Sequence, residues 1–117
     1  MNDYIDRYPE IYRLKTMLLK ANIQFDFHES EESCQIELFD RAFRYCSVIE
    51  GILTYGGRQD LLEIMGLLTP EESKIDNVKG FMTAEAVFKR IQEYNTSHKV
   101  KHSNYHRKRK KHRGGSI

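Results

Sequence analysis

Residues 8–21 place Ile11, Leu14, Met17, Leu18 and Ala21 at three- and four-residue steps, with Arg13, Lys15 and Lys20 between them. That spacing gathers apolar side chains on one face of a helix, so the segment predicts an amphipathic helix. Pro9 suits its first turn, where the missing N–H would have had no intrahelical partner, and Asn22 supplies a stop. The period then shortens to two. Ile23, Phe25 and Phe27 alternate with Gln24, Asp26 and His28, and the acidic stretch Glu29-Ser30-Glu31-Glu32-Ser33 is polar enough for a turn. Cys34, Ile36 and Leu38 alternate with Gln35, Glu37 and, less regularly, Phe39. Asp40-Arg41 is a short connection to a third strand, Phe43 to Glu50, that is apolar on both faces: Cys46 and Val48 on one, Phe43, Tyr45 and Ile49 on the other. Such a strand fits the centre of a sheet, and the short links predict an antiparallel meander.

Tyr55-Gly56-Gly57-Arg58 breaks the pattern, and Leu61, Leu62, Met65 and Leu68 restore helical spacing between Asp60 and Leu68. Thr69-Pro70-Glu71-Glu72 fits a capping box: the threonine hydroxyl takes the N3 amide, and Glu72 reaches back to the threonine N–H. Asp76-Asn77 and Gly80 read as loop. Thr83 can cap a last helix to about Asn95, with Glu85 in its first turn and an apolar stripe of Val87, Phe88, Ile91 and Tyr94. The expected fold class is α+β in the order α-β-β-β-α-α, a three-stranded antiparallel sheet covered by helices. It occupies residues 1–95, and a basic C-terminal tail, residues 96–117, extends from it.

Charge changes the picture more than composition does. The 117 residues carry 19 basic and 17 acidic side chains, a net charge of only +2. Eight of the 19 fall in the last 22 residues, which contain no Asp or Glu. An acidic body of about −6 therefore joins a tail of about +8, a handle for phosphates or for an acidic protein surface. The expected nucleic-acid-binding residues are Lys99, Lys101, His102, Tyr105, Arg107, Lys108, Arg109, Lys110, Lys111 and Arg113. Basic groups beside an aromatic ring suit phosphate contact with base stacking. His98, His102 and His106 would share a face if the last helix continued. No carboxylate or cysteine lies near to complete a metal shell, so neither a metal nor a cofactor is expected there. In the body, Glu29, Glu31 and Glu32, with Asp26 and Glu37 close by, form either a solvated loop or a negative patch that mimics phosphates.

Apolar residues at 39%, with 7 Tyr and 6 Phe, suit a folded body. Cys34 and Cys46 read as reduced core residues, with a disulfide between neighbouring strands as the alternative. The first residues lack a basic start and an apolar stretch, and no apolar run approaches the ~20 residues that span a bilayer. The expectation is a soluble cytoplasmic protein with no membrane partner. Enzymatic constellations are thin. Glu72-Ser73-Lys74 has the spacing of a nuclease carboxylate–lysine pair but lacks a partner aspartate on a strand. Cys46 would need a distant histidine, and Gly56-Gly57 either offers amides to an anion or turns the chain.

Five segments stand out together: Cys46-Ser47-Val48-Ile49-Glu50, Tyr55-Gly56-Gly57, Leu61-Leu62-Glu63-Ile64-Met65-Gly66-Leu67-Leu68, Asp76-Asn77-Val78-Lys79-Gly80 and Thr83-Ala84-Glu85-Ala86-Val87-Phe88-Lys89-Arg90-Ile91. Through them the chain, from Asn22 to about Ile91, resembles a group of small, mostly uncharacterised proteins encoded by phages and prophages of Gram-positive bacteria. The resemblance implies a small accessory protein in the cytoplasm of a bacterial host, and it transfers no catalytic residue. The basic tail departs from the group's pattern. By analogy with setting, it points to a non-enzymatic inhibitor of a host nucleoprotein such as a CRISPR effector, an anti-CRISPR protein. The alternatives are a stand-alone nucleic-acid-binding regulator and a small nuclease without a recognisable motif.

Overall fold

The computed structural model describes residues 7–51 and 60–99. The chain is α+β, but among the described residues the sheet has five strands where the sequence pattern predicts three. Helix α1 (Pro9–Lys20) is followed by β1 (Asp26–Glu29), β2 (Ser33–Asp40), β3 (Phe43–Gly51) and β4 (Leu62–Met65). A six-residue helix α2 (Pro70–Ile75), β5 (Val78–Met82) and α3 (Ala84–His98) complete the described chain. The strands pair in sequence order, all antiparallel.

Two sequence readings are corrected here. Leu62–Met65 is a strand, not part of a helix from Asp60 to Leu68, and Gly80 lies inside β5 rather than in a loop. Leu61, Leu62, Met65 and Leu68 fit a helical period, while Leu62 and Ile64 against Glu63 and Met65 fit a strand period equally well. The hydrogen-bonding edge of β3 decides between them, because Ser47, Val48 and Ile49 pair with Met65, Ile64 and Glu63. Gly66, at φ +94°, then brings the backbone against the Tyr45 carbonyl, a position where a Cβ would collide.

Register sorts the sheet into two faces. Phe27, Ile36, Val48 and Ile64 form one cross-strand row, and Leu38 opposes Cys46 in the next. This side meets Ile11, Leu14 and Leu18 of α1 and Ala84, Val87 and Ile91 of α3, all with no exposed surface. Each fully buried aliphatic side chain contributes about 1.5–3 kcal/mol. The other side carries the rows Asp26–Glu37–Ser47–Met65 and His28–Gln35–Ile49–Glu63. Helix α2 buries none of its side chains, so among the described residues two helices cover the sheet where three are expected.

The helix ends follow local chemistry. Asn22 takes φ +58°, Ile23 N–H reaches Leu18 O at 3.0 Å and Asn22 N–H reaches Leu19 O at 3.2 Å. These are the paired bonds of a Schellman stop. Thr69 and Glu72 form the reciprocal capping box, and Thr83 Oγ1 accepts Ala86 N–H. The first turn of α1 has no side-chain cap from its own flank. Its Ile11 N–H donates instead to Glu50 Oε1 on β3 at 2.8 Å. Glu10 Oε2 in turn accepts Ala84 N–H at the start of α3 at 2.6 Å, and Arg13 links Glu10 to Glu85.

Cys34 and Cys46 are both free and buried. Cys34 opposes Glu50 while Cys46 opposes Leu38, four ladder positions apart or about 13 Å along the strands, beyond the reach of a disulfide. Burial pushes the thiols up, to about 11 for Cys34 and about 12 for Cys46. No described helix is long and apolar enough to cross a membrane.

Candidate nucleic-acid interface

Of the ten residues that the charge pattern assigns to nucleic-acid binding, Lys99 is placed. Lys101, His102, Tyr105, Arg107, Lys108, Arg109, Lys110, Lys111 and Arg113 lie outside the described residues, as do His106 and the Gly56-Gly57 pair. Helix α3 runs past Asn95 to His98, and Lys99 adopts the left-handed conformation at φ +50°, with its N–H on Asn95 O. The helix therefore does not carry the spacing of His98 on through Lys99 towards His102.

Three rings meet at the same end. Tyr45 and Tyr94 stack at 4.0 Å between centroids and 10° between planes, and Tyr94 and His98 stack at 3.8 Å and 11°. Strict alternation would send Tyr45 to the face of Phe43 and Ile49, away from the helices. A bulge prevents this: Leu38 pairs with Cys46 while Phe39 pairs with Arg44, leaving Tyr45 as an extra residue on β3. A bulge bends its strand and re-aims a side chain. Tyr45 is consequently buried in the helix-side core, and its hydroxyl donates to Asn95 Oδ1 at 3.0 Å. Burial pushes its phenol pKa up, so the hydroxyl keeps its proton. His98 Nδ1 lies 3.0 Å from Tyr94 O, so the proton on Nδ1 donates to that carbonyl and holds the imidazole over the Tyr94 ring.

A groove of about 330 Å³ runs beside the column, between Leu67, Leu68, Thr69 and the Arg90, Glu93, Tyr94 and Ser97 flank of α3. Arg90 is held there. Its guanidinium grips both oxygens of Glu72 at 2.7 and 2.8 Å and also donates to Leu67 O. The same contact takes up Glu72, whose carboxyl is held near 2 by the Arg90 hydrogen bonds and the Thr69 N–H. The carboxylate of Glu72-Ser73-Lys74 thus serves a cap and an ion pair.

A second cluster occupies the sheet face opposite α1 and α3. Asp26 and Glu37 are directly opposed across β1 and β2, and with His28 they bring donor atoms within 4.8 Å of one another. These residue types can ligate a divalent ion. Glu37 already carries two partners: Oε2 accepts Arg44 at 2.7 Å, and Oε1 lies 2.9 Å from His28 Nε2. Burial pushes the Glu37 carboxyl up, but hydrogen bonds from Arg44 and His28 outweigh it and hold the group below the usual carboxylate range. The guanidinium supplies there the positive charge that an ion would bring. Glu29, Glu31 and Glu32 are exposed at the β1–β2 turn. Arg7 and the Tyr8 hydroxyl donate to the Glu31 carbonyl and tie this turn to the start of α1.

Compared with protein-family models, curated proteins and solved structures, the chain matches none. The reading of the site accordingly rests on its own residues. The sequence pattern did not reveal the ring column or the buried Glu50. The i, i+4 spacing of Tyr94 and His98 was a signal for part of the column.

Proposed function

We propose that this chain is a non-enzymatic accessory protein of phage type that binds and blocks a host nucleoprotein, a guide-RNA-loaded CRISPR effector being the class that fits best. In this reading the basic tail contacts nucleic acid or the channel that holds it, and the α+β body supplies the protein-contacting surface. The observation that carries it is the segregation of charge: eight basic and no acidic side chains in the last 22 residues, joined to a body with an excess of acids. Such a tail releases counterions from a phosphate backbone, so its binding weakens steeply with salt. The resemblance to phage-encoded proteins adds the bacterial setting.

The test is capture from a bacterial lysate, with and without nuclease, using the full chain and a variant with Arg107, Lys108, Arg109, Lys110 and Lys111 all changed to Glu. The expected result is a discrete nucleoprotein component that survives nuclease and is lost with charge reversal. Recovery of nucleic acid alone, abolished by nuclease, retires the inhibitor in favour of a stand-alone nucleic-acid-binding regulator. Unchanged retention by the charge-reversed variant refutes a role for the tail in either reading.

A further inference from the structure

From the geometry at the end of α3 we infer that the Tyr45–Tyr94–His98 column is a stacking platform for an unpaired nucleobase of single-stranded nucleic acid. This deepens the proposed function, and it rests on the reading of the tail as a phosphate-binding element. Two centroid separations of 4.0 and 3.8 Å with planes within 11° make a continuous pile of three rings. The pile has direction. Tyr45 at its base is 4% exposed, Tyr94 is half-buried, and His98 at its top is exposed. Tyr94 has both faces covered, one by each neighbour, whereas His98 gives one face to Tyr94. Residues four apart stack roughly along the helix axis, so the column opens at the C-terminal end of α3.

Rigidity favours a flat ligand here. Asn95 anchors the Tyr45 hydroxyl, and the Tyr94 carbonyl fixes the imidazole through Nδ1. Little ring motion remains to be frozen when a fourth ring adds to the pile, which lowers the ordering cost of binding. The field selects the kind of ligand. A helix C-terminus carries partial negative charge, which disfavours a phosphate on the platform itself. A neutral base tolerates that position. A phosphate of the same strand then falls to Lys99, the residue that follows His98. Single-strand binders combine these two parts, aromatic rings for bases and a positive track for the backbone. The Asp26, His28 and Glu37 cluster lacks such a match, because Arg44 and His28 already satisfy Glu37.

The experiment measures fluorescence anisotropy of the full chain with two labelled single-stranded DNA octamers of equal charge. One carries all its bases, and in the other tetrahydrofuran spacers replace all eight. The wild-type chain is expected to bind the intact octamer about tenfold more tightly, the size of one base–aromatic stack. His98→Ala abolishes that preference and leaves affinity for the abasic octamer and the far-ultraviolet circular dichroism unchanged. His98→Tyr keeps a ring at the top of the column and retains the preference. Equal binding of both octamers by the wild type, or full preference in His98→Ala, overturns the inference. The fivefold charge reversal tests the tail separately: its loss of affinity for both octamers supports the tail reading even where the base preference fails. A base preference that survives His98→Ala with tail-dependent binding intact sinks the platform alone.

Discussion

Replacing Glu50 by glutamine isolates the cost of ionising a carboxyl group inside this fold. Glu50 is 1% exposed, its Oε1 accepts Ile11 N–H at 2.8 Å, and its Oε2 has no hydrogen-bond partner among the described residues. Burial pushes its pKa from 4.5 up to about 7, opposed by the Ile11 N–H and assisted by the negative charges of Asp60 and Glu10. Between these values the folded chain holds a proton that the unfolded chain has released. Stability from this group is therefore full below pH 4.5, falls as pH rises through 7, and is level above that. At about 1.4 kcal/mol per pH unit the whole effect is about 3 kcal/mol, most of it between pH 5 and pH 8. The substituted amide keeps an oxygen for the Ile11 N–H but cannot ionise. Urea unfolding of both proteins at pH 5, 6, 7 and 8, followed by circular dichroism at 222 nm, gives the stability difference at each pH. Titrations common to both proteins cancel in that difference. Wild type is expected to lose about 2–3 kcal/mol relative to Glu50→Gln across the range. A constant difference, or one of opposite slope, refutes the argument that this carboxylate is buried and weakly compensated.

Two other substitutions probe the fold. Ile36→Asp puts an unpaired charge at a site with no exposed surface, between Phe27 and Val48, and is expected to abolish the cooperative thermal transition; a melt at the wild-type temperature shows the register to be wrong. Glu72→Gln keeps the capping box but weakens the grip on Arg90, at about 1 kcal/mol near neutral pH. Because the folded pKa of Glu72 is depressed from 4.5 to about 2, its contribution is present above 4.5 and disappears as pH falls through 2, so the two proteins converge in acid. Urea titrations at pH 7 and pH 2 that give the same difference contradict this account.

Signals that operate within one turn of chain were legible in the sequence. Thr69 with Glu72, Thr83 with Ala86, and the stop at Asn22 act through partners at most five residues apart, so residue identity alone specifies them. The alternation of Cys34, Ile36 and Leu38 likewise fixed which side chains of β2 enter the core. The basic tail was legible too, since charge is a property of composition. What the tertiary structure decided depends on partners far along the chain. Residues 62–65 satisfy two periods, and the free edge of β3 selected the strand. Tyr45 is the extra residue of the β3 ladder, and the bulge turns it from the expected alternation towards Tyr94, forty-nine positions away. Helix α1 lacks a local cap and takes Glu50 from β3, a residue that looks like an ordinary polar end of a strand. Periodicity states which residues seek burial. Hydrogen-bonding partners across the sheet determine where those residues find it, and at the end of α3 that choice assembles three rings into one column.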